Sequence, residues 1–308
     1  MTSKPLIQMT DEVRSALAGN RPVVALESTI ITHGLPRPRN LEVARALEDA
    51  VRDEGATPAT IAVMGGAVKV GLTEEDLLTL DAPGYVKKLS RADIAGAVAR
   101  GIRGSTTVAA TMIAARAAGI EVFATGGIGG VHRGAVHSWD VSADLHELAR
   151  TPVTVVCAGP KAILDLPRTL EVLETLGVPV IGYGTGDLPA FWSRQSGLEA
   201  SDRIDTPGEI AAAHRARAAL GIEGGQLVCN PIPADAEIHR TEIEPMIETA
   251  LREAEASGVT GKDVTPFLLA RMLELSDGRT LDANVALILN NARLAARIAT
   301  SLRTMPRS

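Results

Sequence analysis

The residues best suited to chemistry lie in two segments, each directly after a short apolar run. The run VFA leads into the glycine-rich turn TGGIGGVHRG, which contains His132 and is followed by Asp140 and Asp144. The run TVVC leads into AGP and Lys161. Glycines let backbone amides approach an anion, and open α/β sheets bind ligands just beyond their strand ends. The two segments therefore indicate an enzyme that acts on a small phosphorylated or otherwise anionic substrate.

A lysine and a glutamate are the candidate reacting groups. A lysine in an apolar setting, such as Lys161, can lose its proton and attack a carbonyl as a Schiff-base nucleophile, although a solvated lysine or a phosphate clamp fits the residues equally well. Glu27 lies in the apolar run VVALESTII. Burial there would raise the pKa of its carboxyl towards the range of a general acid, whereas a strand end facing water would leave it an ordinary surface acid. We favour the acid, because polar residues follow it directly.

Several other polar residues could bind an anion or a metal ion. Asp140 and Asp144 are four residues apart and offer the carboxylates that Mg²⁺ or Mn²⁺ prefers, although Asp144 could equally be a first-turn helix acid. Lys88 precedes a predicted cap at Ser90, and the segment that ends in Val108 begins another helix. A cation and a helix N-terminus together can hold a phosphate, but ordinary capping explains each part alone.

The histidines divide into two groups. His33, His132 and His137 form a loose set near the chemical segments, and the glycine setting of His132 favours it. His214 is predicted on a polar helix face with no part in the site.

Strands and helices alternate along most of the chain. This alternation predicts a three-layer α/β/α fold with a central, largely parallel and possibly mixed sheet. We expect a single α/β domain over residues 1–308, with an N-terminal extension over 1–20 and a mostly helical part over about 240–308 packed on it. Ser142 is predicted to cap a short helix. Strands are predicted over 22–31, 60–64, 120–124, 153–157, 178–183 and 226–230, and helices from about 40 and over 106–118 and 167–176.

Composition excludes several classes of function. The chain has 31 Lys and Arg against 37 Asp and Glu, a net charge of −6, with 2% aromatic residues. A broad nucleic-acid surface needs a basic face or stacking aromatics, so we expect no nucleic-acid partner. No apolar run is long enough to span a membrane and no signal core is present, so we expect a cytoplasmic protein. No P-loop motif is present, which argues against a P-loop NTPase.

Seven segments taken together resemble the pseudouridine-5′-phosphate glycosidase family. They occur in order from about Val23 to Asn291, and FATGGIGGVHRGA and CAGPK are the most specific. The full set is ALESTIITHGLP, SRADI, TTVAATMIAA, FATGGIGGVHRGA, DVSADL, VVCAGPKAILDL and CNPIP.

This resemblance implies an activity and a role for each matching residue. Members of the family convert pseudouridine 5′-phosphate and water reversibly to uracil and ribose 5-phosphate, with a divalent metal, Mn²⁺, and form homotrimers. By resemblance, Lys161 is the nucleophile, Glu27 the proton donor and Asp140 the metal ligand. Substrate binding is implied for Lys88, Val108, Ser142, Ala143, Asp144, His132 and Asn284. Gly184 departs from the family, in which a longer polar residue is expected.

Other functions remain compatible with the residues alone. A Schiff-base lyase or aldolase acting on a sugar phosphate would also use a lysine, and a ribokinase-like phosphotransferase would bind a similar substrate. A metabolite-binding subunit is disfavoured, because Lys161, Glu27 and Asp140 would then share no purpose.

Overall fold

A mixed β-sheet forms the centre of the computed structural model, which describes residues 5–261 and 264–305. The outermost parts of the predicted domain, 1–4 and 306–308, lie outside the described residues. The strands are β1 (Ile7–Met9), β2 (Val23–Leu26), β3 (Thr57–Met64), β4 (Ala67–Val70), β5 (Lys87–Leu89), β6 (Gly104–Thr106), β7 (Val122–Ala124), β8 (Thr154–Cys157), β9 (Val180–Tyr183), β10 (Asp202–Ile204) and β11 (Gln226–Cys229).

Helices connect most of these strands. They are α1 (Asp11–Ala18), α2 (Arg39–Asp53), α3 (Glu74–Asp81), α4 (Ile94–Ala99), α5 (Val108–Ala118), α6 (Ala135–Ser138), α7 (Ala143–Leu148), α8 (Leu166–Thr175), α9 (Pro207–Ala219), α10 (Arg240–Ala256), α11 (Val264–Leu275) and α12 (Arg279–Thr304), with a π-helix over Ile30–Gly34. Among the residues that the structure describes, no helix is both long and apolar enough to cross a membrane.

The sheet is largely parallel, as predicted, with an antiparallel part near one edge. The strand order is β1-β4-β3-β2-β7-β8-β11-β9-β10, and β6, which carries β5, also pairs with β3. β4 and β6 run antiparallel to β3, and the other pairs are parallel. Gly65 and Gly66 both have positive φ, at 60° and 76°, which is the backbone of a tight hairpin between β3 and β4.

Helices cover both faces of the sheet and complete the predicted three layers. One apolar core joins α2, α9, α10 and α12 to the sheet, and a second joins α1, α5, α7 and α8 to the opposite face. The N-terminal segment predicted as an extension provides β1, which pairs with β4 at the sheet edge. A single domain over the whole chain stays a prediction.

Several local predictions differ from the structure, among them the helix predicted over 106–118, which begins at Val108 because Thr106 ends β6. The strand predicted over 22–31 ends at Leu26, and the π-helix follows it, so β-branched residues here do not extend the strand. Ser90 is not the cap of the next helix, since α4 begins at Ile94 with Asp93 as its N-cap residue, and the Ser90 amide donates to Asp93 Oδ2 at 3.1 Å. His214 is buried rather than on a polar face, and its Nδ1 lies 3.0 Å from Thr154 Oγ1.

Candidate active site

A cavity of about 360 Å³ opens where β2, β7 and β8 end. All ten of the residues to which the resemblance assigned a role contribute to its wall, although they come from seven separate stretches of chain. They are Glu27, Lys88, Val108, His132, Asp140, Ser142, Ala143, Asp144, Lys161 and Asn284. Ligand sites beyond parallel strand ends are the common arrangement in open α/β sheets.

Glu27 and Lys161 reach the cavity from the ends of β2 and β8, which are separated in the sheet by β7. Glu27 directly follows β2, and Lys161 comes four residues after β8, where its amide donates to Ile128 O at 3.2 Å. Burial raises the pKa of the Glu27 carboxyl, which outweighs the lowering by the positive charge of Lys161 and by a hydrogen bond from Thr125. A carboxyl with a raised pKa keeps its proton nearer neutral pH and can donate it.

Asp144 connects the glycine-rich turn to the start of α5. It is 5% exposed, and its two carboxylate oxygens accept hydrogen bonds from Ala109 N and Gly129 N, both at 2.9 Å. A Cβ on Gly129 would overlap Ser142 and the Asp144 carboxylate, so only glycine fits here. The sequence suggested that amides of the glycine-rich turn bind a substrate anion, but the Gly129 amide donates its hydrogen bond to the Asp144 carboxylate instead.

Ser142 orients Asp144, as its predicted capping role requires. Its hydroxyl accepts a hydrogen bond from Asp144 N at 3.2 Å, and Ser142 N donates to Gly130 O at 2.9 Å. The cap and the turn are thus joined directly, which places Ser142 and Ala143 at the cavity wall.

Asp140 and His132 lie close together beside the glycine-rich turn. His132 N donates to Asp140 O at 3.0 Å, and His132 Nδ1 lies 4.0 Å from Asp140 Oδ2. Burial lowers the pKa of His132, and the charges of Lys161 and Lys88 act in the same direction against that of Asp140. A neutral imidazole can accept a proton or a hydrogen bond.

Lys88 and His33 lie at another side of the cavity. Lys88 is in β5, opposite Ser105 of β6, and His33 is carried by the π-helix. His33 Nδ1 lies 2.6 Å from Thr32 Oγ1, whose hydroxyl donates to Ser105 Oγ at 2.8 Å. Burial, followed by the charge of Lys88, lowers the pKa of His33. Of the loose histidine set, His33 and His132 contribute to the wall, whereas His137 is exposed.

Helices from the last third of the chain provide the remaining wall. Asn284 of α12 contributes to it, and its Oδ1 accepts a hydrogen bond from Trp192 Nε1 at 2.8 Å. Sequence reasoning missed the apolar members, such as Phe191 and Leu287, because nothing distinguishes them from core residues. Gly184, the departure from the family, is exposed with φ of 68°, and is not among the residues that line the cavity.

The fold and the cavity together define an α/β enzyme with a lysine and a half-buried acid that follow two strands separated in the sheet by β7. The chain belongs to the family described as Indigoidine synthase A like protein, whose family model matches residues 12–301. The resemblance inferred from the sequence motifs is confirmed, because curated relatives of the chain carry the name pseudouridine-5′-phosphate glycosidase.

These relatives match almost the whole chain. The protein of that name from Paracoccus denitrificans (strain Pd 1222) is 66% identical over 302 residues, which cover 97% of this chain and 99% of the relative. That from Methylobacterium nodulans (strain LMG 21967 / CNCM I-2342 / ORS 2060) is 60% identical, with 97% and 89% covered.

Solved structures share the fold. The crystal structure of the prealnumycin C-glycosynthase AlnA in complex with ribulose 5-phosphate superposes with a TM-score of 0.91 and 39% identity, covering 98% of each chain. An indigoidine synthase A (IdgA)-like protein from Thermotoga maritima MSB8 superposes with a TM-score of 0.89 and 37% identity, covering 98% of this chain and 99% of that one.

Proposed function

We propose that this enzyme hydrolyses the C–C glycosidic bond of pseudouridine 5′-phosphate, giving uracil and ribose 5-phosphate, and that the reaction is reversible. The observation that carries the proposal is the placement of Lys161 and Glu27, an acid with a raised pKa, in one cavity. The names of the relatives supply the substrate. The bound ribulose 5-phosphate of the C-glycosynthase supports a sugar-phosphate ligand.

A lysine and an acid suit this bond better than the carboxylate pair of ordinary glycosidases. Those enzymes protonate a leaving oxygen and pass through an oxocarbenium-like state. The leaving atom here is carbon, which has no lone pair to protonate. A covalent nitrogen on the sugar provides electrons to expel that carbon, and a nearby acid protonates it.

In the proposed mechanism, Lys161 Nζ bonds to C1′ while the bond from C1′ to the ring oxygen breaks, and that oxygen takes a proton from the newly bonded nitrogen. The nitrogen lone pair then forms an iminium with C1′, the C1′–C5 bond breaks, and C5 of uracil takes the proton of Glu27. One water hydrolyses the iminium, which releases ribose 5-phosphate, frees Lys161 and returns one proton to Glu27. The overall change consumes one water.

The remaining wall residues bind the substrate in this proposal. Lys88 provides a positive charge suited to phosphate, and Val108 contributes to the wall at the start of α5, where Asp144 already accepts the hydrogen bond of Ala109 N. Ser142 to Asp144 shape the wall beside the glycine-rich turn. His132, whose pKa is lowered by burial, would hydrogen-bond a sugar hydroxyl, and Asn284 contributes to the wall from α12.

Asp140 is the residue proposed to hold a divalent cation, Mn²⁺. The described residues contain no group of three or more histidine, cysteine or acidic side chains that could hold a metal. The Asp140 side chain is 34% exposed and contributes to the cavity wall, so one carboxylate with water and substrate oxygens fits a hard cation. When bound, the cation would offset phosphate charge.

The decisive experiment is incubation with pseudouridine 5′-phosphate and Mn²⁺ while free uracil is measured. We expect uracil from the unaltered enzyme and none from Lys161→Ala, with Lys69→Ala as the matched control. Lys69 lies on β4, pairs with Asp76 of α3 at 3.6 Å, and does not line the cavity. Near-full activity of Lys161→Ala would contradict the nucleophile. A sugar-phosphate lyase would form a borohydride-trapped lysine but no uracil.

The proposed assembly rests on the resemblance alone, and the proposed location on the expectation stated from the sequence. We propose a homotrimer that works in the cytoplasm. Sedimentation equilibrium would give three times the chain mass if the first statement holds, and a single chain mass would contradict it.

A further inference from the structure

A buried threonine lies beside the proposed acid. In the parallel pair of β2 and β7, Leu26 is opposite Ala124, so the next residues, Glu27 and Thr125, leave the sheet side by side. Thr125 is fully buried, and its hydroxyl donates a hydrogen bond of 2.5 Å to Glu27 Oε1. No motif in the sequence indicates this contact, which joins residues 98 positions apart.

Backbone hydrogen bonds hold Thr125 on both sides. Its amide donates to Val156 O of β8 at 2.9 Å, and its carbonyl accepts from Asn291 Nδ2 at 2.9 Å. Asn291 is fully buried in α12, and its Oδ1 accepts from Asn230 Nδ2 at 3.1 Å. The backbone of Thr125, from which the hydroxyl projects, is therefore fixed by β8 and by α12.

A carboxylic acid can donate from one oxygen while the other accepts. Because Thr125 occupies Glu27 Oε1 as a donor, the transferable proton of Glu27 is left on Oε2. We propose that Thr125 is a positioning residue that fixes which oxygen of Glu27 donates the proton and how the carboxyl faces the substrate. This inference rests on the proposed role of Glu27 as proton donor.

The same hydrogen bond affects the ionisation of Glu27. It favours the ionised carboxylate, as do the charges of Lys161 and Lys88, whereas burial and the charge of Asp144 favour the protonated form. Removing the Thr125 hydroxyl should therefore raise the pKa of Glu27 further and make it a weaker acid.

The test compares Thr125→Val, which keeps the shape, with Thr125→Ser, which keeps the hydroxyl. For Thr125→Val we expect kcat to fall about tenfold with KM within about twofold, the equivalent of one hydrogen bond. The limb of the pH–kcat profile that reports Glu27 should move to higher pH. Thr125→Ser should restore both. Thr154→Val is the matched control, since Thr154 is also fully buried but begins β8 and does not line the cavity. It should leave both kcat and the pH profile unchanged.

A second readout does not depend on turnover. The infrared carboxyl band of Glu27, isolated by subtracting the spectrum of Glu27→Gln, should titrate at higher pH in Thr125→Val than in the unaltered enzyme. An unmoved titration, an unchanged kcat in Thr125→Val, or equal loss in the Val and Ser variants would overturn the inference. Absence of uracil from the unaltered enzyme would instead refute the proposed function, while the infrared titration would still decide the Thr125–Glu27 contact.

Discussion

Replacing Asp144 should destabilise the protein by an amount that the structure allows us to work out. Its carboxylate is 5% exposed and satisfies two backbone amides, those of Ala109 and Gly129. A buried amide left without an acceptor costs about 1–3 kcal/mol. Asp144→Ala removes both acceptors, so the free energy of unfolding should fall by about 2–6 kcal/mol. Asp144→Asn keeps one acceptor oxygen and should lose about 1–3 kcal/mol.

Urea unfolding at one pH measures these differences. The matched controls are Asp235→Ala and Asp235→Asn, which make the same changes at an exposed position and should stay within about 0.5 kcal/mol of the unaltered protein. The reasoning would be refuted if Asp144→Ala cost no more than Asp235→Ala. It would also be refuted if Asp144→Asn cost more than Asp144→Ala, since the loss would then not follow the number of unpaired amides.

Three further predictions concern charge. Because the pKa of Glu27 is raised in the folded protein, its contribution to stability is complete below pH 4.5 and is lost as pH rises. Glu27→Gln should therefore unfold at higher urea than the unaltered protein at pH 8, with a smaller gain at pH 5; equal gains would contradict this. Burial of Glu121 opposes ionisation, but hydrogen bonds from His214 and Arg215 and the charges of Arg215 and Arg303 lower its pKa to about 2. The contribution of Glu121 to stability is therefore present above pH 4.5 and is lost as the pH falls towards 2. Between these pH values the free energy of unfolding should fall less steeply for Glu121→Gln than for the unaltered protein, and equal slopes would disprove the role. Asp140→Asn should weaken the binding of Mn²⁺ measured by calorimetry, and a chelator should slow uracil release by the unaltered enzyme. Asp235→Asn should change neither Mn²⁺ binding nor uracil release. Undiminished Mn²⁺ binding by Asp140→Asn would show that Asp140 is not the ligand.

Sequence patterns were most informative where a structure depends on near neighbours. Ser142 caps α7, as predicted, by accepting a hydrogen bond from Asp144 N two residues away. The alternation of strands and helices likewise predicted the three layers. The placement of Lys161 beyond its strand followed from the same local pattern, because strand ends can be recognised from the apolar run itself.

The tertiary structure decided what depends on strand order. Glu27 receives a hydrogen bond from Thr125 only because β7 pairs with β2. Likewise, Asp144 accepts the hydrogen bond of Ala109 N only because α7 packs beside α5. The π-helix after β2 arises where the sequence predicts continued strand, and it places His33 at the cavity. Side-chain periodicity records which face of an element is buried, but not which element lies opposite. The residues suited to the chemistry could therefore be identified from the sequence, while the contacts that orient them required the folded chain.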